Sequence, residues 1–218
     1  TPPPVTTITG PNFCQGNVST LNASPGFASY EWGSGETTQN ITIIAGGTYT
    51  VTVTDLAGCT ASATTNITAN PLPAAAIAGN TTVCNGVTTT LTASGGNSYQ
   101  WSNGTNTASI NVTPLTTTTY TVTVTNANNC SAETSTTVTV NTLPVPAVTG
   151  PGNICIGSSA TLTATGGASY QWSGGLGTSD IVTVSPLSTT TYTVTATNAQ
   201  GCTATTTYQL IVNSSLSP

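Results

Sequence analysis

Residues 191–202 read Thr-Tyr-Thr-Val-Thr-Ala-Thr-Asn-Ala-Gln-Gly-Cys, and the same pattern occurs at two earlier places in the chain. The matching stretches are residues 119–130 and residues 48–59. In each one, Thr alternates with Tyr, Val or Ala up to an Asn or Asp, and a cysteine follows four residues later. Alternation of β-branched Thr with apolar residues predicts a strand with one solvated and one buried face, followed by a hairpin turn.

The sequence around this stretch is also repeated. A Tyr-x-Trp motif precedes each copy, and an earlier cysteine, at Cys14, Cys84 and Cys155, opens each repeat at intervals of 70 and 71 residues. Such a period is too long for one turn of a solenoid and suits a small β domain. With proline-bearing junctions at residues 70–73 and 141–146, the sequence predicts three domains. Their boundaries are 1–73, 74–144 and 145–218.

The third repeat gives the clearest pattern of strands. We predict six strands in it, and their positions are near Val148, at 159–164, 169–172, 181–184 and 191–196, and from Cys202 to about Val212. In an up-and-down sandwich of six strands, Cys155 and Cys202 fall at the same end of the domain. Seven strands would place these two cysteines at opposite ends.

The six cysteines fall two to a repeat, and each pair is separated by 45 to 47 residues. This regularity predicts one intradomain disulfide in each repeat. The predicted pairs are Cys14–Cys59, Cys84–Cys130 and Cys155–Cys202. Disulfides indicate an extracellular location, and closing a loop of this size is worth about 4 kcal/mol in the chain-entropy model. Because the sequence has no CxxC pair and no His, we expect no metal site.

Six aromatic residues are predicted to form the cores. They are Trp32, Trp101, Trp172, Tyr49, Tyr120 and Tyr192. The period of two along a strand places Tyr192 on the same face as Val194, opposite the Thr residues. An alternative role for the Trp residues is an exposed platform on which sugars stack.

The charge composition excludes several classes of function. The chain has no Lys, Arg or His and only five acidic residues, so its formal charge is −5. Phosphate backbones and anionic lipids are bound mainly by Lys and Arg, so we expect no nucleic-acid partner and no membrane partner. No apolar run approaches the roughly 18 residues that cross a bilayer. Without His or Lys, a conventional Ser or Cys triad cannot form, and we expect neither enzymatic activity nor a cofactor.

The acidic residues give no pattern of a catalytic or calcium site. Glu31 and Glu36 lie close in sequence, but we interpret them as solvated surface acids. Asp55 occupies the position held by Asn126 and Asn198 in the other repeats, which indicates a turn residue.

The repeated pattern resembles a known group of proteins. Leu-Thr-Ala-x-Gly-Gly-x-Ser-Tyr-x-Trp-Ser, with Thr-Tyr-Thr-Val-Thr and the two cysteines, is similar to the tandem immunoglobulin-like repeats of large Bacteroidota cell-surface proteins, including gliding-motility adhesins. It also resembles the related PKD module, although Ser102-Asn103-Gly104 stands where that module has Gly-Asp-Gly. The resemblance implies an all-β chain of tandem Ig-like β-sandwich domains, exported to the cell surface.

These observations favour a non-enzymatic extracellular rod, a segment of a bacterial surface adhesin or surface filament. Its expected partners are neighbouring repeats of the same polypeptide, further copies through self-assembly into filaments, and a surface glycan or other cell-surface ligand. The alternative is a set of carbohydrate-binding modules appended to a secreted hydrolase.

Overall fold

The computed structural model describes residues 3–214, so the outermost residues of the predicted domains 1–73 and 145–218 lie outside it. The strands of the first repeat are β1 (Ile8–Thr9), β2 (Phe13–Cys14), β3 (Ser19–Ala23), β4 (Ser29–Trp32), β5 (Asn40–Ile43), β6 (Gly47–Thr54), β7 (Thr60–Ile67) and β8 (Ala69–Asn70). Those of the second repeat are β9 (Ala76–Gly79), β10 (Thr82–Cys84), β11 (Thr89–Ser94), β12 (Ser98–Trp101), β13 (Ser109–Val112), β14 (Thr118–Thr125) and β15 (Ser131–Asn141).

The third repeat contains β16 (Ala147–Thr149), β17 (Asn153–Cys155), β18 (Ala160–Thr165), β19 (Ser169–Trp172), β20 (Ile181–Val184), β21 (Thr190–Thr197) and β22 (Thr203–Asn213). A 3-10 turn at Ser173–Gly175 is the helical segment among residues 3–214, and no helix there is long and apolar enough to cross a membrane.

Two sheets form the sandwich of the third repeat. One has the strand order β16-β18-β20, and the other has the order β17-β22-β21-β19. All of these pairings are antiparallel except β17 with β22, which is parallel. The first repeat has the sheets β1-β3-β5 and β4-β6-β7, with a parallel β2–β8 pair. In the second repeat β9 pairs with β11 and β12 with β14 in antiparallel fashion, and β10 pairs with β15 in parallel. The predicted all-β Ig-like sandwich architecture is confirmed.

The alternating sequence explains the packing of these sheets. In β21, Tyr192, Val194 and Ala196 are buried, whereas the Thr residues between them are exposed or half-buried. Their partners in the core include Leu162 from the opposite sheet and Trp172. The first repeat has a matching core around Leu21, Trp32, Val51 and Val53. Side chains of this size stabilise a sandwich by about 1.5–3 kcal/mol each when fully buried.

The chain packs as two compact units. The first comprises Thr1–Gly79, Leu91–Ile110 and Tyr120–Thr136, and the second comprises Asn80–Thr90, Asn111–Thr119 and Thr137–Pro218. Each unit therefore holds one complete outer repeat together with part of the second repeat. The division into domains at residues 73 and 144 stays a prediction.

Candidate functional site: covalent junctions between repeats

The first cysteine of each repeat lies beside the end of that repeat's last strand. Cys14 is in register with Asn70, Cys84 with Asn141, and Cys155 with Asn213. In each case the cysteine carbonyl accepts a hydrogen bond from a backbone N–H three residues later, over 3.0 Å. This cysteine therefore sits where the chain leaves its repeat.

The second cysteine of each repeat closes the turn of the hairpin that precedes the last long strand. The Oδ1 atom of Asn198 accepts hydrogen bonds from the backbone N–H groups of Gln200 and Cys202, over 3.1 and 2.9 Å. Asn126 makes the same bonds in the second repeat, and Asp55 makes them in the first. The prediction that Asp55 serves as a turn residue is confirmed.

The two cysteines of one repeat are therefore far apart. Cys202 directly precedes the 11-residue strand β22, and Cys155 is in register with Asn213 at the other end of that strand. At about 3.3 Å per residue, β22 spans roughly 35 Å. A disulfide needs Cα atoms within about 7 Å, so Cys155 and Cys202 cannot be bonded in this fold.

The disulfides instead join consecutive repeats. Cys14 is bonded to Cys130 and Cys84 to Cys202, with Cα–Cα distances of 5.5 and 5.6 Å, and each bond lies inside one compact unit. Cys59 and Cys155 are free thiols exposed to solvent. The prediction of intradomain pairs Cys14–Cys59, Cys84–Cys130 and Cys155–Cys202 was wrong.

An uncounted strand explains this error. The prediction gave the third repeat six strands, whereas the structure has seven strands between Ala147 and Asn213. The additional strand is β17, which carries Cys155 itself. One more strand moves the first cysteine to the opposite end of the sandwich, where it lies next to the following repeat.

A hydrogen bond accompanies each disulfide. The Nδ2 atom of Asn126 donates to the carbonyl oxygen of Pro71 over 2.9 Å, and the Nδ2 atom of Asn198 donates to that of Thr142 over 2.8 Å. Both acceptors belong to the linker that enters the repeat. The sequence analysis missed this role, although an Asn four residues before a cysteine, present in two of the repeats, is a visible signal.

A prediction follows for this linker bond. The substitution Asn198→Asp keeps the Oδ1 turn acceptor but replaces the donor with a carboxylate oxygen that faces the Thr142 carbonyl. We expect the free energy of unfolding to fall by about 1–2 kcal/mol, measured by urea denaturation with Trp fluorescence. Asn103→Asp is the matched control, because its Oδ1 accepts only a local bond from the Thr105 N–H over 3.1 Å. Equal effects of the two substitutions would contradict the assigned role.

Glycine is required where the linker crosses the sandwich. Gly166 has a φ of +87°, and a Cβ atom built on it would lie 2.0 Å from the carbonyl oxygen of Val145. Gly95 stands in the same relation to Ala74, at 2.1 Å. Both contacts are with backbone atoms of the entering linker. This close approach fixes the path along which the chain enters the repeat.

We expect Gly166→Ala to lower the free energy of unfolding by about 2–4 kcal/mol, because the left-handed backbone and the clash with Val145 both oppose a side chain. Gly157→Ala isolates the backbone cost, since Gly157 also has a positive φ, of +84°, but open space around it. That control should lose about 1–2 kcal/mol. Thermal and urea denaturation measure both, and an effect of Gly166→Ala no larger than the control would refute the packing argument.

The predicted aromatic residues occupy two kinds of environment. Trp32, Trp101 and Trp172 are each only 2% exposed. Their indole N–H groups donate to backbone carbonyls of the following loop over 2.8–2.9 Å. Among the predicted tyrosines, Tyr192 is buried, whereas Tyr49 and Tyr120 are half-buried. Side chains as buried as these Trp residues present no face on which a sugar could stack.

Two ionisable groups have perturbed pKa values. A hydrogen bond from the Ser34 side chain lowers the pKa of the Glu36 carboxyl, which is fully exposed. Burial raises the pKa of the Tyr192 phenol, with a smaller opposing contribution from a hydrogen bond with Thr190. Since the neutral phenol is favoured in the fold, its contribution to stability is intact below pH 10 and is lost as the pH rises further. Neither group has a second titratable partner that would make it a catalytic acid or base.

The surface depressions are shallow and polar. One lies on the outer face of the second repeat and is lined by Gln100, Ser102, Thr121, Thr123 and Glu133. Another lies beside the Cys14–Cys130 bond and includes Gln15, Asn129 and Ser131. Among the residues that the structure describes, no group of three His, Cys, Asp or Glu side chains could hold a metal ion. The most specific chemistry in this part of the chain is therefore the pairing of thiols at the junctions.

Comparisons with known proteins concern the fold. No family model and no curated protein matches the chain. Among solved structures, it is similar to the three N-terminal domains of the Highly Immunogenic Outer Capsid protein of bacteriophage RB49, with 16% identity, 96% and 98% of the two chains covered, and a TM-score of 0.36. It is also similar to a Ca2+-stabilized ice-binding adhesin of an Antarctic bacterium, with 15% identity, 99% and 75% coverage, and a TM-score of 0.46. The insect immune protein hemolin matches with 15% identity, 93% and 73% coverage, and a TM-score of 0.32.

Proposed function

We propose that this chain is a non-enzymatic extracellular segment whose tandem Ig-like domains act as a covalently braced spacer in a bacterial surface adhesin or surface filament. The domains are those predicted at 1–73, 74–144 and 145–218. The observation that carries this proposal is the pair of disulfides between consecutive repeats. A bond of this kind restrains the motion of one repeat against the next, which serves a spacer and gives nothing to a catalyst.

The position of the linkers supports the same role. In the third repeat the entering linker is bound at Asn198, beside the hairpin that precedes β22. The chain leaves the repeat at Asn213, at the far end of β22. Since entry and exit lie at opposite ends of a strand roughly 35 Å long, successive repeats add length. Three such domains would make a rod on the order of 100 Å.

The surface chemistry also fits a spacer. The chain carries five acidic residues and no Lys or Arg, so long-range charge does not select a partner. Thr side chains of neighbouring strands bond one another across the outer faces, as Thr50 does with Thr64 and Thr119 with Thr137. Such a surface is already satisfied in its hydrogen bonds.

Small-angle X-ray scattering of the oxidised 218-residue chain tests the proposal. We expect a maximum dimension on the order of 100 Å and a scattering profile of a stiff particle. The variant in which Cys14, Cys84, Cys130 and Cys202 are all Ala should show a broader distribution of lengths. A maximum dimension close to that of a compact sphere of the same mass would refute the spacer. Specific binding on a glycan array, abolished by a change of a surface residue, would favour carbohydrate-binding modules instead.

A further inference from the structure

The two free cysteines occupy the same kinds of position as the bonded ones. Cys155 has the parallel register with Asn213 and accepts from the Ser158 N–H over 3.0 Å, as Cys84 accepts from Val87. Cys84 uses this conformation to bond the next repeat. Cys155 is therefore already shaped as a first half of the junction, and it is exposed.

Cys59 is the matching second half. Its N–H donates to Asp55 Oδ1 over 2.9 Å, as the N–H of Cys130 donates to Asn126 and that of Cys202 to Asn198. The bonded cysteines Cys130 and Cys202 are 0% and 1% exposed, whereas Cys59 is exposed. A difference in exposure at an otherwise conserved local structure indicates a surface that a neighbouring repeat would cover.

Apolar side chains next to the free cysteines distinguish them from the bonded junctions. Leu56, at the tip of the Cys59 turn, is 94% exposed, where the other two repeats have Ala127 and Ala199. Ile156, directly after Cys155, is 46% exposed. The residues in the matching position of the other repeats are the polar Gln15 and Asn85. Apolar residues have thus replaced smaller or polar ones at both free half-sites together.

We propose that the occupant of each free half-site is a second copy of this chain, with Cys155 of one copy bonded to Cys59 of the next. The exposed Ile156 and Leu56 complement each other, and an arbitrary repeat of the same class would not supply that pair. The contact is head to tail, so it extends into an open fibre and does not close a ring by symmetry. The inference rests on the proposed spacer role and gives it a self-assembling partner.

The bond forms by thiol–disulfide exchange with a low-molecular-weight disulfide as the oxidant. The Cys155 thiolate attacks one sulfur of the small disulfide and releases one small thiol, which gives a mixed disulfide. The Cys59 thiolate of the second copy then attacks the Cys155 sulfur and releases the other small thiol. Two protein thiols are oxidised, two protons leave, and one small disulfide is reduced to two thiols.

Complementary single variants test this pairing. Cys59→Ser keeps only the free Cys155, and Cys155→Ser keeps only the free Cys59. With oxidised glutathione, the unchanged chain should give a ladder of disulfide-linked oligomers on non-reducing gels. An equimolar mixture of the two variants should stop at a dimer, in which peptide mapping finds Cys155 bonded to Cys59. Each variant alone should remain at least about tenfold less dimerised than the mixture, because its partner half-site is missing.

Three results would overturn the inference. They are equal dimerisation of one variant alone and of the mixture, a Cys59–Cys59 or Cys155–Cys155 bond in the unchanged chain, and no oligomer although a small thiol reagent labels both cysteines. Loss of oligomers with a scattering profile that remains long and stiff rejects the inference and leaves the spacer role intact. A compact profile rejects the spacer role whatever the gels show.

The apolar pair provides an independent readout. Ile156→Asn, which installs the residue of the bonded junction, should slow formation of the mixed dimer by about fivefold. Leu187→Asn is the matched control, because Leu187 is 74% exposed but is remote in sequence from both free cysteines. Equal rates for the two variants would contradict the assignment of Ile156 and Leu56 to the contact.

Discussion

The double substitution Cys14→Ala and Cys130→Ala should lower the free energy of global unfolding by about 4–5 kcal/mol. The bond links residues 116 positions apart, and the chain-entropy model assigns this stabilisation to a loop of that length. Ala is chosen because Cys130 is fully buried and a serine hydroxyl there would need a partner. Urea denaturation followed by Trp fluorescence, without reductant, measures the change.

Cys59→Ala is the control for this prediction. It changes the same position of the hairpin turn in a repeat where the cysteine is free and exposed, so we expect a change within about 0.5 kcal/mol. If the intradomain pairs existed, Cys59→Ala would break the Cys14–Cys59 bond. A loss of several kcal/mol from Cys59→Ala would therefore contradict the junctions described above.

The substitution Trp172→Ala should destabilise the third repeat by about 3–5 kcal/mol. Trp172 is buried at the centre of a core with Leu162 and Val194, and its Nε1 donates to the Ser179 carbonyl over 2.8 Å. Alanine leaves a large cavity and removes the donor that holds the loop before β20. Differential scanning calorimetry should show the loss as a lower melting temperature.

Trp172→Phe separates the two contributions. Phenylalanine fills most of the cavity but cannot donate to Ser179, so we expect it to recover about half of the loss. An effect of Trp172→Ala below about 1 kcal/mol would show that this side chain does not support the core. It would also reopen the possibility that the Trp residues serve as a surface for sugars.

The regular strands could be predicted from the sequence because their signals are local. Alternation over residues 191–196 fixes both the strand β21 and its buried face, and the structure extends it to Thr190–Thr197. The Tyr-x-Trp motif likewise marks β19, with Trp172 facing inward. In both cases neighbouring residues along the chain carry all the information that the fold uses.

The junctions could not be predicted in this way. Strand β17 has three residues beside a Gly-Pro-Gly turn, and it exists because of a parallel pairing with residues 211–213, some 58 positions away. The spacing of cysteines could not resolve the pairing either. In a chain with a fixed period, bonds within repeats and bonds between consecutive repeats are equally regular, as the separations of 116 and 118 residues show. Only the positions of the cysteines at the ends of the sandwich distinguish these alternatives.

Disulfide mapping of the monomeric chain tests the central claim most directly. Free thiols are alkylated first, and chymotrypsin then cleaves after aromatic residues and Leu, which separates all six cysteines in a chain without tryptic sites. The junctions predict two cross-linked peptide pairs, Cys14–Cys130 and Cys84–Cys202, and alkylation of Cys59 and Cys155 alone. Recovery of Cys14–Cys59, Cys84–Cys130 or Cys155–Cys202 would contradict the account.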